Sequence, residues 1–253
     1  MTWLGALLAA TVLAPAPAQP LTIAIVDTGA NVRVPAIAAA RPLTYDVRTR
    51  GRDVRDLNGH GTVVASIAAL SSGGARLLVI RAGSSSGAFS DANEAAAIRY
   101  AVDRGARIIN LSLGGPRTST AERAAVRYAV AHGVLIVAAA GDDYANRPEY
   151  PAALLGADGL AVAAVTTDGT RALFSNTGPW VSVAALGAHG TSFAAPLVSG
   201  AAALVWAANP RLTARQVVAL LQETASGRGS RTQELGFGVI DVSAAVARAR
   251  SLS

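Results

Sequence analysis

From Leu21 onward the chain alternates short, continuous apolar runs with longer alanine-rich stretches of helical length. The runs "LTIAIVD" (21–27), "RLLVIRA" (76–82), "RIINLSL" (107–113), "GVLIVAAAG" (133–141), "GLAVAAV" (159–165) and "WVSVAAL" (180–186) are apolar on both faces, as strands of a covered parallel sheet must be. Between them the pattern predicts helices over 62–70, 91–104 and 119–131. The last two have acidic residues near their starts and glycine just past their ends. Residues 191–210, "TSFAAPLVSGAAALVWAANP", are apolar nearly all round, which predicts a buried helix whose small residues permit close packing. Two amphipathic helices, over 213–225 and 241–250, close the chain. Strands alternating with helices form βαβ units. The expected fold is therefore α/β: a doubly wound, mostly parallel sheet with helices on both faces, in a single domain.

At 253 residues and 51% hydrophobic content the chain can bury one large core. Cysteine is absent, which excludes disulfides, thiolate metal sites and a sulfur nucleophile. The net charge of +6 rests on 22 basic residues, every one an arginine. They are scattered, with few aromatic residues between them to stack bases, so nucleic acid is not an expected partner. The first residues, "MTWLGALLAATVLAPAPAQP", hold an apolar run from Trp3 to Ala14, too short for a helix that spans a bilayer, followed by "APAPA". Cleavage after Ala18 satisfies the small-x-small requirement, although no Arg or Lys precedes the run. This predicts a signal peptide over 1–18, export to the periplasm or the medium, no stable membrane span, and a single mature domain over 19–253.

Three residues stand where chemistry is plausible. Asp27 lies at the carboxyl end of a buried strand, where ligands gather in open α/β sheets. A turn aspartate, or the Asp-Thr-Gly of an aspartic peptidase, is the alternative; the latter needs a second carboxylate, usually in an all-β fold. His60, in "NGHGT", sits between glycines on a tight, partly exposed turn. Ser192, in "GTSFAAP", lies at the mouth of the buried helix, where free N–H groups and the positive dipole end favour an anion, though serine is also a common helix cap. Asp, His and Ser follow in one of the orders in which the nucleophile–base–orienter triad recurs.

With "IVDTGA", "GHGTVVAS", "INLSLGGP", "VLIVAAAGDD", "YPAA", "GTSFAAPLVSGAAALV", "LTARQVVALLQETA" and "GFGVIDVSAAV" in order, the chain from Leu21 to Ala247 resembles a subtilase, a subtilisin-like serine peptidase. The resemblance implies a serine endopeptidase working through an acyl-enzyme on peptide or protein substrates, with Ser192 as nucleophile, His60 as base and Asp27 as its orienter. It gives the other histidine near the nucleophile, His189, no role. It implies that Ser112, Leu113 and Gly114 pair with an extended substrate, that Ser85 and Gly87 form the opposite edge, and that the Ser192 backbone helps hold the oxyanion. By family register Glu149 falls at the floor of the primary specificity pocket, where a carboxylate attracts Arg or Lys; a solvated loop glutamate is the alternative.

Four departures from the family stand out. Only two residues separate the proposed cleavage point from the first strand, which leaves no visible propeptide. "ASIAALSSGGARLLVI" lacks the insertion that forms a calcium loop in many subtilases, so no cofactor or metal is expected, and no calcium site is recognisable. "VAALGAHGTS" joins the last strand to the nucleophile in few residues. Finally, Asp142 stands where the family has Asn, whose amide helps hold the oxyanion. An ionised carboxylate repels that charge, whereas a protonated one can donate, as in the related sedolisins. Asp142 and the missing propeptide motivate an alternative function: a catalytically silent subtilase-fold protein that binds peptides or partners. The sequence leaves the oligomeric state open.

Overall fold

A computed structural model describes residues 21–252. The proposed signal peptide lies outside them. The described chain runs β1 (Thr22–Asp27), α1 (Pro35–Ala39), β2 (Leu43–Asp46), α2 (His60–Ser71), β3 (Arg76–Arg81), α3 (Asp91–Asp103), β4 (Ile108–Leu111), α4 (Thr120–Ala131), β5 (Leu135–Ala139), β6 (Gly159–Val165), β7 (Val183–Leu186), α5 (Thr191–Ala208), α6 (Ala214–Glu223) and α7 (Val242–Arg250). All strand pairs are parallel, in the order β2-β3-β1-β4-β5-β6-β7. The six apolar runs are β1 and β3 to β7. The apolar pattern does not show β2, an edge strand of four residues whose one fully buried side chain is that of Asp46, or α1, whose five residues are too few to show a helical period.

The continuous apolar character of the strands is explained by two cores, one on each face. Ile23 and Ile25 of β1, Leu77 and Val79 of β3, and Leu135 and Val137 of β5 pack toward α2, α5, α6 and α7. Their neighbours Ala24, Val26, Leu78, Ile80, Ile136 and Ala138 pack toward α3 and α4. Successive side chains of a strand point to opposite faces, so a strand covered on both sides needs apolar residues at every position. α5 is the central helix of the first layer: Ala194, Ala195, Val198, Ala201, Ala202 and Val205 are all buried. It is long and apolar enough to cross a bilayer by composition, and two thirds of it is buried inside the protein.

The strand order reverses direction between β1 and β4, with β2 and β3 on one side and β5 to β7 on the other. Side chains leaving the carboxyl ends of β1, β4 and β5 therefore share one crevice, the position where open α/β sheets bind ligands.

Candidate active site

Asp27 is the last residue of β1 and is fully buried. Its Oδ1 accepts the Thr28 N–H at 2.7 Å, and His60 Nδ1 lies 2.8 Å from Oδ1 and 3.1 Å from Oδ2. His60 is the first residue of α2, not a turn residue ahead of it, because Gly59 takes the left-handed conformation (φ 98°) that starts the helix two residues early. The next residue must be glycine: a Cβ on Gly61 would collide with the Gly29 carbonyl and stand 2.9 Å from Asp27 Oδ1. The loop that presents His60 is held by Asp56, which is absent from the candidates picked out by sequence. Its carboxylate accepts from Thr28 Oγ1 (2.9 Å), Asn58 N (3.0 Å), Gly59 N (2.8 Å), Thr62 N (2.8 Å) and Thr62 Oγ1 (2.6 Å). An aspartate just ahead of an Asn-Gly pair is the signal of a turn closed by its own side chain, and that could have found it. Burial works against the charge of Asp56, yet these bonds hold its pKa below the ordinary value. Burial likewise lowers the pKa of His60, but the Asp27 hydrogen bond and the charges of Asp27, Asp56 and Asp142 outweigh it, leaving the imidazole more basic than usual.

Ser192 is the second residue of α5, and Pro196 lies four residues further along the same helix. A proline has no N–H, so the Ser192 carbonyl lacks its helical partner. The Ser112 hydroxyl fills that vacancy at 2.7 Å, while Ser192 Oγ donates back to the Ser112 carbonyl at 3.2 Å. Asn110 Nδ2 donates to Ser112 Oγ (2.9 Å), and Ser199 Oγ, two turns down α5, donates to Asn110 Oδ1 (2.9 Å). This buried chain ties the nucleophile's turn to the end of β4. The ring of Phe193 stands 5.7 Å from that of His60.

The helix cap before Ser192 is Gly190, which has no side chain to satisfy the first N–H groups. Asp142, just beyond β5, serves instead: its Oδ1 accepts the Thr191 N–H at 2.9 Å, and its Oδ2 faces Gly190. A carboxylate at a helix N-terminus is favoured by both the hydrogen bond and the dipole. Asp142 thus acts here as an acceptor. Between the two sides runs a groove of about 240 Å³ lined by Thr28, Asn58, His60, Gly87, Phe89 and Ser112 to Gly114.

The model of the subtilase family matches residues 19–238. The chain belongs to the subtilase family. It is 34% identical over 249 residues to Subtilisin Savinase of Lederbergia lenta, covering 86% of this chain and 91% of that one. Against an alkaline protease of Alkalihalobacillus alcalophilus the identity is also 34%, over 86% of this chain and 65% of the longer relative. The solved structure of a cold adapted subtilisin-like serine proteinase superposes with a TM-score of 0.77 at 29% identity, covering 87% of this chain and 86% of the other. By family, this subtilase is a serine endopeptidase.

The remaining residues singled out in this subtilase's sequence divide sharply. Gly87, Ser112, Leu113 and Gly114 line one groove, but Ser85 does not; it is exposed, and its carbonyl accepts from Asn58 at 3.2 Å. His189 is exposed on the connection from β7 to α5. Glu149 is buried, not a solvated loop residue. Among the described residues no group of three or more His, Asp or Glu side chains is placed to hold a metal ion.

Proposed function

We propose that this subtilase is an exported endopeptidase in which Ser192 attacks the scissile peptide carbonyl. His60 takes the Ser192 proton on Nε2 and then passes it to the leaving amine. Asp27, bonded to Nδ1, holds the imidazole in the required tautomer and stabilises its cationic form. The first tetrahedral species expels the amine and leaves an acyl-Ser192 ester. Water, deprotonated by the same imidazole, then releases the carboxylic acid. The Ser192 backbone N–H, at the N-terminus of α5, faces the developing oxyanion. Ser112 to Gly114 pair with the extended substrate, Gly87 lies across the groove, and Glu149 meets a substrate side chain. The leader over residues 1–18 carries the export part of the reading.

The observation that supports this most directly is the 2.8 Å contact between His60 Nδ1 and fully buried Asp27. It leaves Nε2 free for a proton from the α5 turn. A fluorophosphonate probe should label the purified protein and fail to label Ser192→Ala. Absence of labelling at any pH from 5 to 10 would favour instead the silent, peptide-binding alternative that Asp142 suggests.

A further inference from the structure

The molecule carries a net charge of +6, but its cleft is acidic. Asp27, Asp56 and Asp142 act on His60, and Asp142 and Asp143 act on Glu149. Four of these five carboxylates have partners. Asp27 holds His60, Asp56 caps α2, Asp142 caps α5, and Asp143 pairs with Arg147 at 2.9 Å. Glu149 is 7% exposed, and its Oε2 is buried with no partner at all.

Its position is set by the backbone. Gly115 and Tyr150 exchange two hydrogen bonds, 3.0 and 2.8 Å, which put Glu149 directly behind Gly114. A Cβ on Gly114 would come within 2.9 Å of Glu149 Cγ and Oε1, and one on Gly141 within 3.0 Å of Cγ. The carboxyl therefore lies in a slot walled by two glycines, which only residues without side chains leave open. The Gly141 wall touches the nucleophile's turn directly, its N–H donating to Thr191 Oγ1 at 3.2 Å, and the Gly114 wall follows two residues after Ser112, whose carbonyl accepts from Ser192 Oγ at 3.2 Å. Asn176 Nδ2, also buried without a partner, flanks Gly141. A buried carboxylate without a partner is costly, and such groups persist where a ligand supplies the missing charge.

We propose that this slot receives the substrate side chain on the amino side of the scissile bond, taking arginine or lysine when Glu149 is ionised and an uncharged side chain when it is protonated. The inference rests on the endopeptidase reading. Arginine suits the geometry best, since its fork can bond both carboxylate oxygens. Burial, with the charges of Asp143 and Asp142, raises the pKa of Glu149, and Arg147 only partly offsets them, leaving it at about 7. The change of preference thus falls near neutrality.

The test uses two peptide substrates that differ only at that residue, arginine in one and its neutral isostere citrulline in the other. Any titration of His60, and any effect of Asp142, Asp143 or Arg147 on the reaction itself, acts on both peptides and cancels in their ratio. The arginine-to-citrulline ratio of kcat/KM should rise about 10- to 100-fold between pH 5.5 and 8.5, and Glu149→Gln should flatten it. A flat ratio in the wild-type enzyme, or an arginine preference retained by Glu149→Gln, overturns the proposal. If that variant does not fold, the wild-type ratio decides alone. Benzamidine binding to Ser192→Ala, measured by calorimetry, separates pocket from catalysis. Amidine binding to that variant at least about tenfold tighter at pH 8.5 than at 5.5, together with a wild-type protein that no fluorophosphonate labels, would keep the cation pocket and discard the peptidase reading. Labelling and cleavage with a flat ratio would do the reverse, and neither labelling nor amidine binding would overturn both.

Discussion

Replacing Asp142 with asparagine changes one atom at the point where the reaction develops charge. The amide oxygen can keep the 2.9 Å bond from the Thr191 N–H, which places the new NH₂ at the position of Oδ2, facing the Gly190 turn that leads into Ser192. Two effects then add. A unit negative charge about 4 Å from an oxyanion costs about 4 kcal/mol at an effective dielectric of about 20. A side-chain donor in its place is worth about 3 kcal/mol, a magnitude that comes from a subtilisin and is carried over to this chain. Their sum is an upper limit, because solvent reaches the cleft. A gain of about 2–4 kcal/mol, or roughly 30- to 1000-fold in kcat, is the expected outcome. The same substitution removes one of the three charges that raise the His60 pKa, so that pKa should fall. Since His60 must be neutral to accept the proton, the acid limb of the rate profile should move to lower pH. The assay is kcat and kcat/KM on a peptide p-nitroanilide from pH 5 to 10 for both proteins. A kcat within twofold of wild type together with an unmoved acid limb would show that the Asp142 carboxylate does not face the reacting centre, and the oxyanion argument would fall.

Asp56→Ala removes the acceptor of five hydrogen bonds around the start of α2 and should cost about 2–4 kcal/mol, seen as a lower denaturation midpoint together with reduced kcat. Because the pKa of Asp56 is depressed by folding, its contribution is present above the unfolded value and is lost as pH falls through the folded one, so the penalty should vanish in acid. Ser112→Ala leaves the Ser192 carbonyl without a partner and should lower Tm by roughly 2–4 °C for each kcal/mol of about 1–3 kcal/mol lost, read by calorimetry. Glu94 and Glu122, on the first turns of α3 and α4, form a buried carboxyl pair: burial, then the charges of Glu122 and Asp91, raise Glu94 to about 9. A raised carboxyl pKa gives stability that is present below the unfolded value of about 4.5 and is lost as pH rises through about 9, so Glu94→Gln should raise Tm at pH 9 to 10 and not at pH 5. A Tm difference independent of pH would refute the raised pKa of Glu94 in the folded protein.

The local features of this subtilase were determined by its sequence. Six of the seven strands are legible because a strand buried on both faces needs an apolar residue at every position, and Ile23 to Val26 show that rule without exception. The long helix 191–208 was legible for the same reason, being buried nearly all round. The candidates Asp27, His60 and Ser192 could be picked out because each sits at an element boundary marked by glycine. The short edge strand β2 was hidden, since its hydrogen bonds to β3 come from the backbone and require no apolar pattern. What depends on the meeting of distant segments was decided only by the tertiary structure. Nothing in "DLNGH" tells that Asp56 bonds Thr28, which is 28 residues away, and nothing near Asp142 tells that it caps a helix 49 residues further on. Glu149 shows the difference most clearly. The residues of "RPEYPAA" leave a pocket carboxylate and a solvated loop glutamate both open, and Glu149 is a buried, unpartnered carboxyl because two glycines, 35 and 8 residues earlier in the chain, close around it. Burial and partnership are properties of the space around a side chain, and that space is made by segments the local sequence does not contain.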